Sequence, residues 1–324
     1  AALTTGGQNI LIGDNAGAAG AITGIRNVAV GDNALYSVVA GGGNIAIGYA
    51  SGNVVSSGDN NVFVGTSSGQ ANTTASGNVG VGTSALAANT TGANNVALGI
   101  RTLDVNTTGG SNTALGADAL GANTTANNNT GIGQSALLAC TTGTPNTAVG
   151  ANALDACTTG GNNNALGQSA LTTLTTGSYN NAFGTHALEA ATTQAASNAF
   201  GHRALDVATT GQHNNAFGAE ALGALTTGNY NTAVGGNALV AMTTAANNTA
   251  VGNDAGTAIT TGAQNTAIGE AANQITTTGE NTTVVGALCR SSGVDVDNEV
   301  VLGSNGMVGK GASTAFISGG NGAV

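Results

Sequence analysis

The stretch that decides the fold runs from Asn146 to Asn162 and reads Asn-Thr-Ala-Val-Gly-Ala-Asn-Ala-Leu-Asp-Ala-Cys-Thr-Thr-Gly-Gly-Asn. Its first glycine, Gly150, follows an apolar residue, and this repeat glycine recurs along almost the whole chain. After one longer step from Gly13 to Gly31, every step equals that from Gly31 to Gly48, without an insertion as far as Gly303. A strict period of this kind is typical of a repeat protein in which each repeat is one structural unit.

Each slot of the repeat holds one kind of residue. The slot before the repeat glycine is always apolar, and the slot four before it is nearly always Asn, as at Asn146 and Asn163. The slot four after the glycine is Leu in successive repeats from Leu86 to Leu239. The period is too short for a helical hairpin, and the Gly, Asn and Thr content disfavours helix.

Alternation of polar and apolar residues indicates strands. Asn-Thr-Ala-Val forms one alternating run, and Leu154, Ala156 and Thr158 form a second, with glycine-rich turns between them. We therefore predict an all-β parallel β-solenoid, or β-roll, of about 18 coils. Each coil has two short strands and two tight turns, and like residues stack about 4.8 Å apart in ladders.

The predicted ladders consist of Asn146, Val149, Gly150, Leu154, Thr158, Thr159, Asn163, Leu166, Gly167, Leu171, Phe183, Gly184 and Leu188. We expect the apolar slot before the glycine and the Leu slot to fill the core. The carboxylates that follow the Leu slot are expected to be exposed, because they face the other way; they are Asp155, Glu189 and Asp206.

Composition limits the partners. Of 324 residues, 54 are Gly, 1 is Pro and 6% are charged, with a net charge of −10. Such a surface repels phosphates, so we expect neither nucleic acid nor an anionic membrane as a partner. No apolar stretch has the length of a membrane span. We predict a single shaft over residues 1–290, and a final irregular coil with a C-terminal cap or exit segment over 291–324.

Few residues stand out as candidates for chemistry. One candidate is the set of three histidines, His186, His202 and His213. They are interpreted either as a metal cluster or as surface substitutions at variable slots, and the second interpretation is favoured. Cys140 and Cys157 share one slot in adjacent coils, where they form a disulfide or serve as apolar filler, and filler is favoured.

Asp295, Asp297 and Glu299 alternate and could hold Ca²⁺, although a solvated edge is favoured. Asn-Thr-Thr at Asn72, Asn89, Asn106 and Asn123 matches glycosylation sequons but belongs to the repeat. No catalytic arrangement, cofactor site or metal site is predicted, so we do not expect an enzyme.

The Asn-Thr-Ala-Val-Gly-x-x-Ala-Leu…Thr-Thr-Gly repeats, over about residues 4 to 303, resemble those of bacteriophage tail-fibre shafts. They are also similar to the β-roll heads of trimeric autotransporter adhesins, whose repeats carry Asn-Ser-Val-Ala-Ile-Gly. The stretch from Val296 to Gly303 looks like the end of such repeats in fibres with an endosialidase-type intramolecular chaperone. In those fibres the chaperone folds the trimer and then cuts itself off, so the reading frame is expected to continue past Val324.

The resemblance implies a structural and adhesive fibre protein located in the virion, where it mediates attachment to the host surface. The expected partners are two further copies in a homotrimer, other tail or fibre proteins and a host receptor such as a polysaccharide. A bacterial surface adhesin or extracellular filament is the alternative.

A parallel homotrimer is expected because a second apolar set is predicted to point away from the core. This set comprises the Ala residues two before and three after the glycine, such as Ala148 and Ala153, and the slot of Cys140. An ice-binding solenoid is a further alternative. It is disfavoured because adjacent threonines on a strand point to opposite faces.

Overall fold

The structure, a computed structural model, describes residues 6–303 and 306–317. Over these residues the chain is an all-β parallel β-solenoid of about 18 coils with about 17 residues each, and it contains no helix. The chain divides into two compact units, residues 1–162 and 163–324.

The first unit contains nine short strands, each paired in parallel and in register with the next. They are β1 (Ile10–Ile12), β2 (Val28–Val30), β3 (Ile45–Ile47), β4 (Val62–Val64), β5 (Val79–Val81), β6 (Val96–Leu98), β7 (Thr113–Leu115), β8 (Thr130–Ile132) and β9 (Asn146–Val149).

The second unit repeats this arrangement with ten strands. They are β10 (Asn163–Leu166), β11 (Asn181–Phe183), β12 (Asn198–Phe200), β13 (Asn215–Phe217), β14 (Thr232–Val234), β15 (Thr249–Val251), β16 (Thr266–Ile268), β17 (Thr283–Val285), β18 (Val300–Leu302) and β19 (Ala315–Ile317).

Each coil has one strand, so the predicted second strand is wrong. The segment around Leu154 forms turns instead, because Asn152 and Leu154 both have φ 55°. A left-handed residue at every second position is incompatible with an extended strand. The turns nevertheless bond from coil to coil, as in Ala88 N–H to Asp104 O (2.9 Å) and Thr90 N–H to Thr107 O (2.9 Å).

The strands are oriented opposite to the prediction. In β6 the middle residue, Ala97, is fully buried, whereas Val96 and Leu98 are partly exposed. The same orientation places Val149 and Phe183 outward and leaves Leu166 47% exposed, so the expected core role of this slot is wrong.

The small apolar set that was expected to face outward fills the core instead. Ala148, Ala153 and Cys140 are all fully buried. The burial of the Leu slot is confirmed, since Leu154, Leu171 and Leu188 are fully buried as well. The expected exposure of three carboxylates is wrong: Asp155 and Glu189 are half-buried, and Asp206 is buried.

The space between the strand and the Leu slot is tightly filled in the coil of β4. Where Phe63 replaces the inward Ala of β4, the Leu slot of the same coil is Gly69, and a Cβ there would collide with the phenyl ring. The next inward slot is Gly80, whose Cβ would lie 3.2 Å from Phe63 Cδ1. In this coil the inward strand slot and the Leu slot therefore share a single volume, and the phenyl ring in one leaves space only for glycine in the other.

The slot four before the repeat glycine forms a buried Asn column. Asn44 N–H donates to Asn27 Oδ1 (2.9 Å), and Asn44 Nδ2 donates to Gly58 O (2.8 Å). Asn180 makes the equivalent bonds to Asn163 Oδ1 (3.0 Å) and Gln194 O (2.9 Å) in the second unit. Each buried amide thus joins its coil to the preceding coil and to the following turn.

Two strands belong to the C-terminal segment. β18 pairs in parallel with β19, with Val300 opposite Ala315, so the step between these strands is shorter than the repeat. Arg290 also bridges to Val308. Of the predicted C-terminal region 291–324, residues 291–303 and 306–317 are described. The expected processing site after Val324 lies outside the described residues.

Candidate interaction surface

The outward face of the strands is an exposed apolar surface, which we call the sheet face. In β1 and β3 both outward residues are isoleucines, and Ile12 and Ile47 are 59% and 40% exposed. The outward pairs in β2, β4 and β5 are valines. None of the strands in the described part of the chain carries a charged residue. One outward column of the sheet face is thus apolar in every described strand, and over β1 to β6 both columns are apolar. From β7 to β17 the other column is Thr or Asn.

In the second unit the sheet face also carries aromatic and amide columns. Phe183, Phe200 and Phe217 stack with centroid distances of 4.7 and 4.8 Å and nearly parallel rings. Beside them an outward amide column runs through Asn164, Asn181, Asn198 and Asn215, with Nδ2–Oδ1 distances of 2.8, 2.7 and 2.7 Å. Both columns follow from the in-register pairing, which brings identical residues to ladder spacing.

A second aromatic column lies five residues before the repeat glycine, and we call it the corner column. Tyr179 and Tyr230 are 64% and 60% exposed, and the ring of His213 stacks on that of Tyr230 at 5.0 Å. Ala196 occupies the intervening slot between Tyr179 and His213. The corner column therefore presents the single ring of Tyr179 and the stacked pair of His213 and Tyr230, separated by one small residue.

The charged residues of the second unit gather on the turns. His186 Nδ1 lies 2.9 Å from Glu189 Oε2, and Arg203 Nε lies 2.8 Å from Asp206 Oδ2. The rings of His186 and His202 meet edge-on at 6.4 Å. A shallow, open depression is lined by His186, Glu189, His202 and Arg203, and its carboxylate, Glu189, is already paired with His186. The third histidine, His213, contacts Tyr230 instead.

Two carboxylates on the turns of the first unit have opposite pKa shifts. Arg101 forms a bidentate pair with Asp118, with Nε–Oδ1 and Nη2–Oδ2 distances of 2.7 and 2.9 Å, and this hydrogen bonding lowers the pKa of Asp118. Burial raises the pKa of the Asp155 carboxyl. The charged form of Asp118 therefore stabilises the fold, whereas the charged form of Asp155 lowers the stability of the fold.

The three acidic side chains predicted as an alternative Ca²⁺ site do not come together in the described part of the chain. Asp295 and Asp297 are exposed, whereas Glu299 is fully buried. The Glu299 carboxylate accepts the N–H groups of Ser292 (2.8 Å) and Gly311 (2.7 Å). Over residues 6–303 and 306–317, no three His, Cys, Asp or Glu side chains are grouped as metal ligands.

Sequence reasoning missed the burial of Glu299, although its register gives the signal. Glu299 lies four residues before Gly303 and so takes the Asn-column slot at the end of the repeat. Gln194 was also missed: it is fully buried in a slot that holds Gly or Ala in nearly all other coils. Its amide has no hydrogen-bond partner among the described residues.

A second buried Asn column occupies the slot seven after the repeat glycine. Asn89 and Asn106 donate to the preceding Asn Oδ1 (3.0 and 2.8 Å), and the column continues to Asn123. It then gives way to Cys140, and Asn123 Oδ1 lacks a partner within the described chain. All four sequon asparagines lie inside the coil, where a glycan has no space.

Comparison of the chain with protein-family models, curated proteins and solved structures finds no match. Within the described residues, no helix has the length and apolar character needed to cross a bilayer. A functional proposal therefore has to be argued from the fold and from the exposed columns of side chains.

Proposed function

We propose that the chain is a structural and adhesive fibre protein, the shaft of a bacteriophage tail fibre, without catalysis. The observation that carries this proposal is the regular, uncharged sheet face outside a self-sufficient, ladder-bonded interior. In this proposal residues 1–290 form the shaft, and 291–324 form its final coil and C-terminal cap or exit segment. The repeat resembles tail-fibre shafts, which supports a location in the virion.

The sheet face supports a homotrimer. Soluble monomers avoid long continuous apolar surfaces, and branched apolar side chains on a regular face pack well against a second copy. In this proposal the surface buried between the copies consists of the outward residues of the strands. The small apolar set predicted from sequence does not take part in it. The choice of three copies follows from the resemblance to fibres and adhesins.

Light scattering on the full chain tests the trimer, with an expected mass about three times 30.6 kDa. The variant Ile47→Lys places a charge on the sheet face and is expected to give monomers. Ile100→Lys is the matched control, because Ile100 is 53% exposed but lies outside the strands. A monomeric wild-type chain, or equal effects of the two variants, would contradict the proposal.

Origin and attachment need separate measurements. Mass spectrometry of purified virions is expected to detect the chain, whereas recovery from bacterial surfaces alone would favour the adhesin.

We assign receptor contact to the corner column, because exposed aromatic rings present flat faces for a sugar ring. Tyr179→Ala with Tyr230→Ala is expected to reduce binding to host polysaccharide without changing the mass of the assembly. Unchanged binding would exclude this surface.

One observation favours ice binding as a second candidate. On β14 to β17 the outward slots alternate Thr with Val or Ile, as in Thr232 and Val234, on a regular face. The Thr-Thr pairs do not form such a face, because the first hydroxyl donates to the next coil, as in Thr209 Oγ1 to Thr226 O (3.2 Å). Thermal hysteresis from a monomeric chain would support this candidate over the fibre.

A further inference from the structure

Two buried thiols lie in the same slot of adjacent coils. Cys140 and Cys157 are one repeat apart, both are fully buried, and both are free in this structure. Their coils are held in register by β8 and β9, where Gly131 lies opposite Ala148. No other coil in the described part of the chain pairs two cysteines in this way.

Backbone bonds on both sides of Cys140 fix this alignment. Ala139 N–H donates to Asp155 O (2.8 Å), and Thr141 N–H donates to Thr158 O (3.1 Å). One coil step of about 4.8 Å lies within the Cα separation of roughly 4.4–6.8 Å that a disulfide accepts. The two side chains are also within hydrogen-bond reach of each other.

Joining the two sulfurs leaves no buried acceptor unpaired. Each thiol donates to a carbonyl of its own turn, Cys140 to Gly143 O (3.3 Å) and Cys157 to Gly160 O (3.4 Å). Each of these carbonyls has a second and stronger donor, the Nδ2 of Asn129 (2.9 Å) and of Asn146 (2.8 Å). The loss of the S–H groups is therefore tolerated, since S–H is a weak donor.

We propose that Cys140 and Cys157 are an oxidation site that forms an intrachain disulfide between adjacent coils. The oxidant is a small disulfide such as oxidised glutathione. One cysteine thiolate attacks it and releases one equivalent of glutathione, and the second thiolate then attacks the mixed disulfide and releases another. The two cysteines are oxidised, the oxidant is reduced, and the two thiol protons end on the released glutathiones.

Burial determines how the link is reached. Neither sulfur is accessible in the closed coil, so reaction requires local opening of the segment from Cys140 to Cys157. Hydrogen bonding between the two thiols raises the pKa of Cys140 and lowers the pKa of Cys157, so Cys157 is the thiol that ionises first once the segment opens. Oxidation is therefore expected to be slow in the folded chain and faster during folding.

The test counts thiols on the full chain. The protein is refolded and, separately, incubated folded with oxidised glutathione, then denatured and alkylated. The reduced chain has three reactive cysteines; the oxidised chain is expected to have one, Cys289, with a peptide joining Cys140 to Cys157. The melting temperature is expected to rise on oxidation and to fall back with dithiothreitol.

Cys140→Ala and Cys157→Ala are the matched variants, because Ala191 and Ala208 fill the same slot in other coils. Both are expected to keep two reactive thiols after oxidation and to show no oxidant-dependent melting shift. Three reactive thiols in the oxidised wild-type chain, glutathione adducts in place of the link, or a link that involves Cys289 would overturn the proposal.

Discussion

At the scale of single residues, buried asparagines connect each coil to its neighbours. Asn112 Nδ2 donates to Ala126 O (2.9 Å) and Asn95 Oδ1 (3.1 Å), and Asn112 Oδ1 accepts Asn129 N–H (2.9 Å). All of these groups are removed from water, so the loss of one side chain leaves buried backbone groups unpaired. Where the column departs from Asn, as at Ser197, the residue keeps an acceptor: Asn214 N–H donates to Ser197 Oγ (3.3 Å).

We expect Asn112→Ala to lower the free energy of unfolding by about 2–4 kcal/mol. Asn112→Ser should have a smaller effect, because serine retains the acceptor. Asn253→Ala is the control and should change stability by less than about 0.5 kcal/mol, since its amide is exposed and bonds only a neighbouring side chain. Denaturant unfolding measures all three, and equal losses would contradict the role of the Asn column.

Asp155 and Asp118 should respond to pH with opposite signs. Burial raises the folded-state pKa of Asp155, so its ionisation costs stability as pH rises through that pKa. Asp155→Asn should therefore raise the melting temperature at pH 7, and the gain should disappear below about pH 4. Melting curves at several pH values give this measurement.

Asp118→Asn is the control for Asp155→Asn, because both variants remove one negative charge. Arg101 lowers the pKa of Asp118, so this carboxylate contributes stability above its unfolded pKa and loses it as pH falls. The variant should melt slightly lower than wild type at pH 7, by a small amount because the pair is on the surface. A rise for both variants would mean that net charge, not local environment, dominates.

At the scale of the strand, adjacent residues face opposite environments. Ala148→Asp inserts a charge into the closed interior of β9 and should destabilise the chain by more than about 3 kcal/mol. Val149→Asp, one residue later, places its charge on the sheet face. It should cost within about 1 kcal/mol when both variants are compared as monomers in the Ile47→Lys background, because Val149 faces outward. Circular dichroism melts distinguish the two, and the reverse order would restore the orientation expected from sequence.

The repeat alone was sufficient to predict the coil, its parallel ladders and the buried Leu slot, since a strict period permits only in-register stacking. It was insufficient to predict the inward face of the strand, because both faces are apolar and the larger side chain was assumed to be inside. The sequence signal for the inward face is the pair Phe63 and Gly69. In this coil the Ala slot holds a large residue and the Leu slot holds a small one, which indicates that both slots face the same interior. The second strand was wrong because alternation also arises from alternating left-handed turn residues, as at Asn152 and Leu154.

At the scale of the whole molecule, charge and apolar surface are separated. The chain carries a net charge of −10, yet its described strands carry none of it. Association through the sheet face therefore works against long-range repulsion between like-charged chains. Screening by salt reduces that repulsion without weakening apolar contact.

The trimer fraction of a dilute sample should accordingly increase with salt, from about 0.01 M to 0.15 M, where the Debye length falls from about 30 to 8 Å. It should also increase as pH approaches the isoelectric point near 4.3. Light scattering at fixed protein concentration measures both trends. Dissociation on adding salt would show that ion pairs hold the chains together and that the sheet face does not.

The interchangeable bonding of the coils has a consequence for the gene. A residue's main partner is the same slot of the adjoining coil, as with Asn44 and Asn27, so a coil meets equivalent donors and acceptors whichever coil adjoins it. Unequal recombination that removes or adds whole repeats would therefore keep the backbone bonds and the buried Asn column in register. The coils that contain Phe63 and Gly80 are an exception. The phenyl ring leaves no space for a larger residue at position 80, so these two coils have to be kept or lost together. The number of coils can thus change without altering the bonding of the coils that remain.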